Sequence, residues 1–407
     1  MKTFDEFINE SEKNTIEAIR KVDNAFFSGL PADVIEMTKI FKKARQELFI
    51  VGGAIRDHLN KKTPHDYDLA TGATPAQVRN IMSPYATVTD EGTEQGVSFV
   101  YFGEEKELYE IATFQTRLND TRKPGAVTFS TILKDFQRRD LTMNALYYDI
   151  SSKEIIDYVG GIDDIKNSIV RTVGEAAARF KEDKLRKLRA VRFTDKTGSI
   201  LNPDIIKAFI ADNTLGHSSE ELLDGVSMER RIAEFTKGVE SARNLVDYLT
   251  TLDKYGFLDQ VILGANVPNP SKFKKLKTKY AYGIIAFLLS ETPFKGKNDL
   301  YKYLALDMKI EGKEFSNLIV FLYSAIRKDF PMMVETIGLL DFVKSEIPKV
   351  KEFLKLFYTP KQVNHILSFD IKKEKKAAHN AVKGKVQGRE MGIAIKRILL
   401  QKLKADI

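Results

Sequence analysis

The chain has 407 residues, 43% hydrophobic and 29% charged, which is enough for roughly two to four compact units and typical of a globular protein. It has no cysteine and five histidines, which excludes disulfides and thiolate zinc sites and leaves a hard, oxygen-held cation such as Mg²⁺ as the expected metal. The net charge of +8 is matched by residues 371–407 alone, with 11 Lys/Arg against 3 Asp/Glu; a basic end on a neutral body is expected to bind a polyanion.

In chain order, residues 1–30 are expected to form an N-terminal helical extension, with Phe4, Phe7, Ile8, Ile16, Ile19 and Val22 on an amphipathic face. Acidic residues come early and no apolar h-region follows, so no secretory signal is expected there. No apolar run reaches the roughly 20 residues that span a bilayer. A cytoplasmic protein is the expectation. Leu30-Pro31 is a break, and residues 32–43 resume as a helix with apolar positions 34, 35, 37, 40 and 41.

The informative stretch is 48–75, LFIVGGAIRDHLNKKTPHDYDLATGATP. Residues 48–51 read as a short apolar strand, Gly52-Gly53 as a tight turn, and the following residues as the start of a helix. A glycine turn leading into a helix exposes backbone N–H groups that suit a phosphate. Asp66 and Asp68 are expected on a second, half-buried strand, and at i and i+2 they share one face. Two carboxylates at that spacing repel unless a cation sits between them. Acids for metal beside a cradle for phosphate point to phosphoryl or nucleotidyl transfer. A solvated strand edge is the plainer reading of Asp66 and Asp68 alone.

Thr74 reads as an N-cap with Pro75 at the first helical position. Residues 87–90 read as a strand, and 97–102 with 107–114 as a hairpin. Its second arm puts Glu110 with Leu108 and Ala112 on one face, which makes Glu110 a candidate third carboxylate. Residues 115–135 are basic and poorly periodic, the composition of a mobile loop near a site. Residues 137–149 pack Arg138, Arg139, Asp140 and Asn144 just before a strand, a polar density that is costly unless it faces a ligand.

From Asp163 the pattern is helical to the end. On a helix over 179–193, Asp183, Arg186 and Arg189 fall at i, i+3 and i+6, near one face, while Leu185 and Leu188 turn to a core. An acceptor beside a guanidinium fork fits the polar edge of a nucleobase. Ser227 is a good helix cap, residues 272–280 read as a basic helix, and 282–289 and 317–326 as buried helices of a bundle.

Taken together, these motifs resemble the class II branch of the polymerase-beta-type nucleotidyltransferases, which contains bacterial CCA-adding enzymes and bacterial poly(A) polymerases. The resemblance covers roughly residues 31–240. Gly52 to Asp57 followed by Asp66 to Thr71 resembles the family's metal and triphosphate motif, and Asp120 to Phe129 its flexible loop. Arg138 to Ala145 resembles the ribose-recognising motif, and Glu182 to Arg186 the motif that reads the incoming base in place of a template. Ser227 to Arg230 with Glu234 resembles the motif that steadies that helix. Residues 386–395 resemble the turn before the last tail helix.

The resemblance implies an α+β chain: a head with a mixed or antiparallel sheet and helices at 31–162, then an all-α neck (163–245), body (246–345) and basic RNA-binding tail (346–407). It implies that Asp66 and Asp68, with Glu110, hold two Mg²⁺ ions. Gly52, Gly53 and Arg56 would meet phosphate oxygens, and Arg139, Asp140 and Asn144 the ribose. Asp183 and Arg186, with Arg189 nearby, would meet the base. The implied activity is CCA addition to tRNA from CTP and ATP, with poly(A) polymerisation as the alternative. A lapsed RNA-binding relative is disfavoured by the two intact aspartates. A metal phosphohydrolase built on His65-Asp66 is disfavoured because no second His-Asp pair exists. Three positions depart from the family: Asn60-Lys61 for Leu-Gly, Lys184 for proline, and Arg231 for an apolar residue.

Overall fold

Most strand-forming stretches of the first half come together in one large sheet in the computed structural model, which describes residues 18–64, 66–89, 91–117, 127–214, 222–310, 312–405 and 407. The strands are β1 (Ile19–Val22), β2 (Phe49–Val51), β3 (Leu69–Thr71), β4 (Thr87–Thr89), β5 (Val97–Phe102), β6 (Glu107–Thr113), β7 (Gln115–Arg117), β8 (Val127–Phe129), β9 (Leu146–Asp149), β10 (Glu154–Asp157), β11 (Ile169–Val170) and β12 (Ile200–Leu201). Eight of them form a mixed sheet in the order β1-β10-β9-β2-β3-β6-β5-β4. The β3–β6 pair is parallel and the other pairs in this sheet are antiparallel.

Helices α1 (Asn24–Ser28), α2 (Ala32–Lys43), α3 (Gly53–Leu59), α4 (Pro75–Met82), α5 (Ile132–Arg138), α6 (Gly161–Lys166) and α7 (Ala176–Glu182) accompany the sheet. The expected cap of α4 is a full capping box, with Thr74 and Gln77 exchanging bonds and Pro75 in the first turn. One face of β5 and β6 is buried through Val100, Tyr109 and Ile111, while Leu108 and Glu110 on the other face stay exposed. Phe49, Val51, Ala70, Phe114, Phe136, Tyr147 and Ile156 belong to one apolar core cluster.

The chain divides into two compact units, residues 1–182 with 199–206 and residues 183–198 with 207–407. The second is helical: α8 (Leu185–Thr197), α9 (Pro203–Thr214, which crosses the division), α10 (Met228–Ser241), α11 (Leu245–Lys254), α12 (Phe257–Val261), α13 (Ala281–Leu288), α14 (Lys297–Leu306), α15 (Lys313–Ile326), α16 (Phe330–Thr336), α17 (Ile347–Leu354), α18 (Pro360–Ser368), α19 (Ile371–Val382) and α20 (Gly388–Lys404). Its core includes the apolar faces of α13 and α15, as the runs at 282–289 and 317–326 led one to expect. Among the described residues no helix is long and apolar enough to cross a membrane.

Several local expectations are corrected. Ile19 and Val22 lie on an edge strand paired with β10, not on a helix; their β-branched side chains suit a strand, and β10 supplies the open ladder. Residues 1–17 of the extension, with Phe4, Phe7, Ile8 and Ile16, lie outside the described residues, while Asn24–Ser28 is helical as expected. The loop expected over 115–135 begins and ends as an antiparallel ribbon, β7 with β8, followed by α5; residues 118–126 within it lie outside the description. The helical pattern expected from Asp163 is interrupted among the described residues by two short strands, β11 and β12, which pair in parallel. Residues 272–280 contribute a short 3₁₀ turn (Pro270–Lys275) rather than a helix. The helix expected over 179–193 is broken between Glu182 and Leu185.

Candidate active site

β2, the glycine turn and α3 follow one another as the sequence suggested. Gly52 caps α3 with φ +70° and ψ −113°, a conformation that side chains other than glycine's rarely adopt. Its N–H donates to the Leu146 carbonyl at 3.2 Å, fixing the turn against β9. Gly53 is the first residue of α3 and has an ordinary φ. Helix α3 ends with paired 6→1 and 5→2 bonds: Lys62 N–H donates to the Asp57 carbonyl and Lys61 N–H to that of His58, both at 2.8 Å. That geometry puts Lys61 at φ +59°, where helix ends most often carry glycine.

Asp66 and Asp68 lie just before β3 rather than within it. The ladder nevertheless reaches Asp68, whose carbonyl accepts the Val51 N–H at 2.9 Å. Ile156 pairs with Tyr147, Tyr147 with Val51, and Phe99 with Glu110. The parallel pairing of Leu69 with Ile111, continued by one residue, brings Asp68 beside Glu110. One row across the sheet thus reads Ile156, Tyr147, Val51, Asp68, Glu110, Phe99. Because side chains alternate between faces, this row shares one face.

The carboxyl of Asp68 is raised above its ordinary value, first by the protein atoms crowded around a group that still reaches solvent, and further by Asp66. Arg139 and Arg56 oppose that shift. Two mutually repelling carboxylates with hard oxygen donors fit a divalent cation such as Mg²⁺. Glu110 is on the same face by register, yet among the described residues no three Asp, Glu or His side chains cluster closely enough to hold a metal.

Behind the acids lies a connected polar network. Arg56 is 3% exposed; its Nη1 donates to Asn144 Oδ1 at 2.7 Å, and its Nε and Nη2 donate to Asp57 Oδ1 at 3.0 and 2.8 Å. Asn144 Nδ2 donates to Asp140 Oδ1 at 3.4 Å, an oxygen that also accepts the Leu141 N–H. Arg139 Nη1 donates to the Asn144 carbonyl at 3.3 Å. The structure therefore brings Arg56, Arg139, Asp140 and Asn144 together, with Arg56 turned into the protein.

Sequence reasoning missed two members of this network, Asp135 and Tyr147. Asp135 is 1% exposed and accepts from Tyr147 Oη (2.6 Å), Arg138 Nε (2.7 Å), Arg139 Nη2 and Nε (3.1 and 3.2 Å) and the Gln115 N–H (3.2 Å). Tyr147 Oη in turn accepts from Arg139 Nε at 2.9 Å. Burial alone would raise the Asp135 carboxyl, but Arg139, Arg138 and the Tyr147 hydroxyl outweigh it and the net shift is downward. The signal was an aspartate on the apolar side of α5, next to Phe136, with arginines three and four residues on.

In the helical unit, Asp183 sits at the break before α8. Its Oδ1 accepts the Leu185 N–H at 3.1 Å and its Oδ2 accepts from Arg230 Nη2 at 2.8 Å. Arg186 is buried, and its N–H donates to the Asp183 carbonyl at 3.1 Å. Arg189 faces Glu234 at 3.6 Å, and Arg192 pairs with the same carboxylate at 2.5 Å. Ser227 caps α10 as expected. Lys184 keeps φ −64°, the angle a proline would impose. Arg231 is buried and donates to the carbonyls of Leu223, Val226 and Gln260 at 2.8, 3.0 and 3.1 Å, which explains how a cation is tolerated where an apolar residue was expected.

The model of the poly A polymerase head domain matches residues 48–171, which contain the glycine turn, both aspartates and the Arg139 network. The CCA-adding enzyme of Pediococcus pentosaceus is 34% identical over 283 residues, covering 65% of this chain and 68% of that protein. This chain belongs to the CCA-adding enzyme family. The family member of Bacillus subtilis (strain 168) is 38% identical over 219 residues, 53% of this chain and 51% of that protein. The chain thus spans about half the length of the first curated relatives it matches. The fold agrees with solved structures: an apo CCA-adding enzyme at TM-score 0.65 and 18% identity, covering 96% of this chain and 95% of that one, and the Bacillus stearothermophilus CCA-adding enzyme in complex with CTP at 0.58 and 24%, covering 92% of each.

Proposed function

We propose that this chain is a template-independent nucleotidyltransferase that adds the 3′-terminal CCA to tRNA from CTP and ATP, in the cytoplasm. The observation that carries the reading is the sheet row that sets Asp68 beside Glu110, with the Arg56, Arg139, Asp140 and Asn144 network behind it. Family membership and relatives named as CCA-adding enzymes support it. Asp66 and Asp68, with Glu110 beside them, would hold the Mg²⁺ ions. When bound, those ions supply charge neutralisation at the triphosphate and a lowered pKa for the attacking 3′-hydroxyl.

The remaining roles belong to the chain itself. Gly52 and Gly53 keep side chains away from the turn where the triphosphate approaches. Arg56 braces Asn144, and Asn144, Asp140 and Arg139 present the groups that meet the ribose. Asp183 accepts from the exocyclic amine that cytosine and adenine share, and Arg186 donates to the ring acceptor beside it. A base that leaves either group unpaired is rejected. The neck (163–245), body (246–345) and basic tail (346–407) would hold tRNA through phosphates and shape.

The test supplies the purified protein with tRNA lacking its last three nucleotides and with CTP, ATP or both. Products ending after three added residues, formed only with both nucleotides, are expected. Long ladders with ATP alone would assign the chain to poly(A) addition instead, a reading that the relatives' names do not favour.

A further inference from the structure

Arg139 lies between the glycine turn and the interior: its Nη1 is 3.7 Å from where a Cβ on Gly52 would sit, and its guanidinium lies over the Tyr147 ring at 4.9 Å. The bonds from Nε and Nη2 to Asp135, and from Nε to Tyr147 Oη, commit two of its three nitrogens to the interior. Nη1 then remains on the Asn144 side, with the group that would meet the ribose.

We propose that Asp135 is a positioning residue for sugar selection: directly and through Tyr147 it holds the Arg139 guanidinium on the Asn144 side and sets the geometry by which a ribonucleotide is preferred over a deoxyribonucleotide. This rests on the reading of Arg139, Asp140 and Asn144 as the ribose-facing set. Asp135 is well built for the task. It is nearly inaccessible to solvent, it is fixed on α5 by Arg138, and it accepts the Gln115 N–H at the root of β7. The Gln115 side chain is itself tied to the Gln95 carbonyl at 2.6 Å. A charge-assisted, geometrically fixed fork discriminates better than a mobile one. Without Asp135, Nε and Nη2 of Arg139 would lose their anchor and the guanidinium would shift relative to Asn144, loosening sugar recognition.

The experiment compares Asp135→Asn, Tyr147→Phe and Arg139→Ala with the unaltered protein, with folding checked by circular dichroism and thermal unfolding. The readouts are kcat and KM for CTP against dCTP. Loss of one charge-assisted contact predicts that Asp135→Asn lowers the ribose preference roughly tenfold to a hundredfold, mainly through KM for CTP. Tyr147→Phe, which keeps both charges, should show the same direction to a smaller extent and covers the case in which Asp135→Asn fails to fold. If Arg139→Ala lowers the ribose preference but folded Asp135→Asn and Tyr147→Phe leave it unchanged, the positioning role is overturned. If Arg139→Ala itself leaves the preference intact, the ribose-facing reading beneath it fails.

Discussion

Two adjacent glycines in the turn before α3 do different work, and alanine at each separates them. Gly52 holds φ +70° and ψ −113°. A Cβ there would meet the Asn144 carbonyl at 3.6 Å and Arg139 Nη1 at 3.7 Å, ordinary contacts, so the penalty is backbone strain rather than collision. Such strain costs about 1–3 kcal/mol, offset in part by the roughly 0.4–1 kcal/mol that a stiffer unfolded chain contributes in favour of folding. Gly53 begins the helix, and its Cβ would meet only Arg56 Nη2, at 3.6 Å. Alanine there should be neutral or gain up to about 1 kcal/mol from helix propensity. Urea unfolding followed by nucleotide incorporation reads both. Gly52→Ala should lower the unfolding free energy by about 1–2 kcal/mol net and impair incorporation through displacement of the Asn144–Arg139 side of the site. Gly53→Ala should keep its stability and alter only KM for the nucleotide. Equal destabilisation by both substitutions would refute the assignment of strain to Gly52.

The Asp135 carboxyl lies below its ordinary value of 3.8 in the folded protein, so it adds stability that is complete above that value and is lost as pH falls through the lower, folded one. Urea midpoints between pH 5 and 2.5 should fall less steeply for Asp135→Asn than for the unaltered protein; parallel curves would contradict the shift. Glu234, 4% exposed, bridges Arg189 and Arg192. Glu234→Gln should cost about 3–5 kcal/mol by leaving buried guanidinium charge uncompensated, and a loss under 1 kcal/mol in calorimetry would show the clamp to be dispensable. At Lys61, φ +59° favours glycine, so Lys61→Gly should be neutral or stabilising by up to about 1 kcal/mol. A clear fall in Tm would count against that backbone assignment.

Much of the head was legible because its signals are local. Thr74-Pro75 caps a helix wherever the chain goes, and the alternation through 97–113 demands a half-buried hairpin. The strand expected to hold Asp66 and Asp68 starts at Leu69, three residues after Asp66, and the register that sets Asp68 beside Glu110, a candidate by alternation alone, is visible only in the fold. Long-range features were not legible. Ile19 and Val22 carry a pattern that serves either helix or strand, and the exposed ladder of β10, 132 to 138 residues away, decides it. Asp135 looked like one more charge in a polar segment until the fold brought Tyr147 and the Gln115 N–H to it. Arg231 was misfitting by type alone, and only the three carbonyls that surround it explain its place. The break at Asp183 was hidden by helix-favouring neighbours. Its own carboxylate bonds the Leu185 N–H and competes with continued helix.

The most direct test takes Asp66→Ala and Asp68→Ala separately, confirms that each is folded, and measures Mg²⁺-dependent transfer of labelled CMP to tRNA together with Mn²⁺ binding. Loss of both transfer and Mn²⁺ binding in each variant, with CTP binding retained at reduced affinity, is the result predicted here. A folded variant that still transfers label at the unaltered rate would remove the two aspartates, and the nucleotidyl-transfer chemistry assigned to them, from the account.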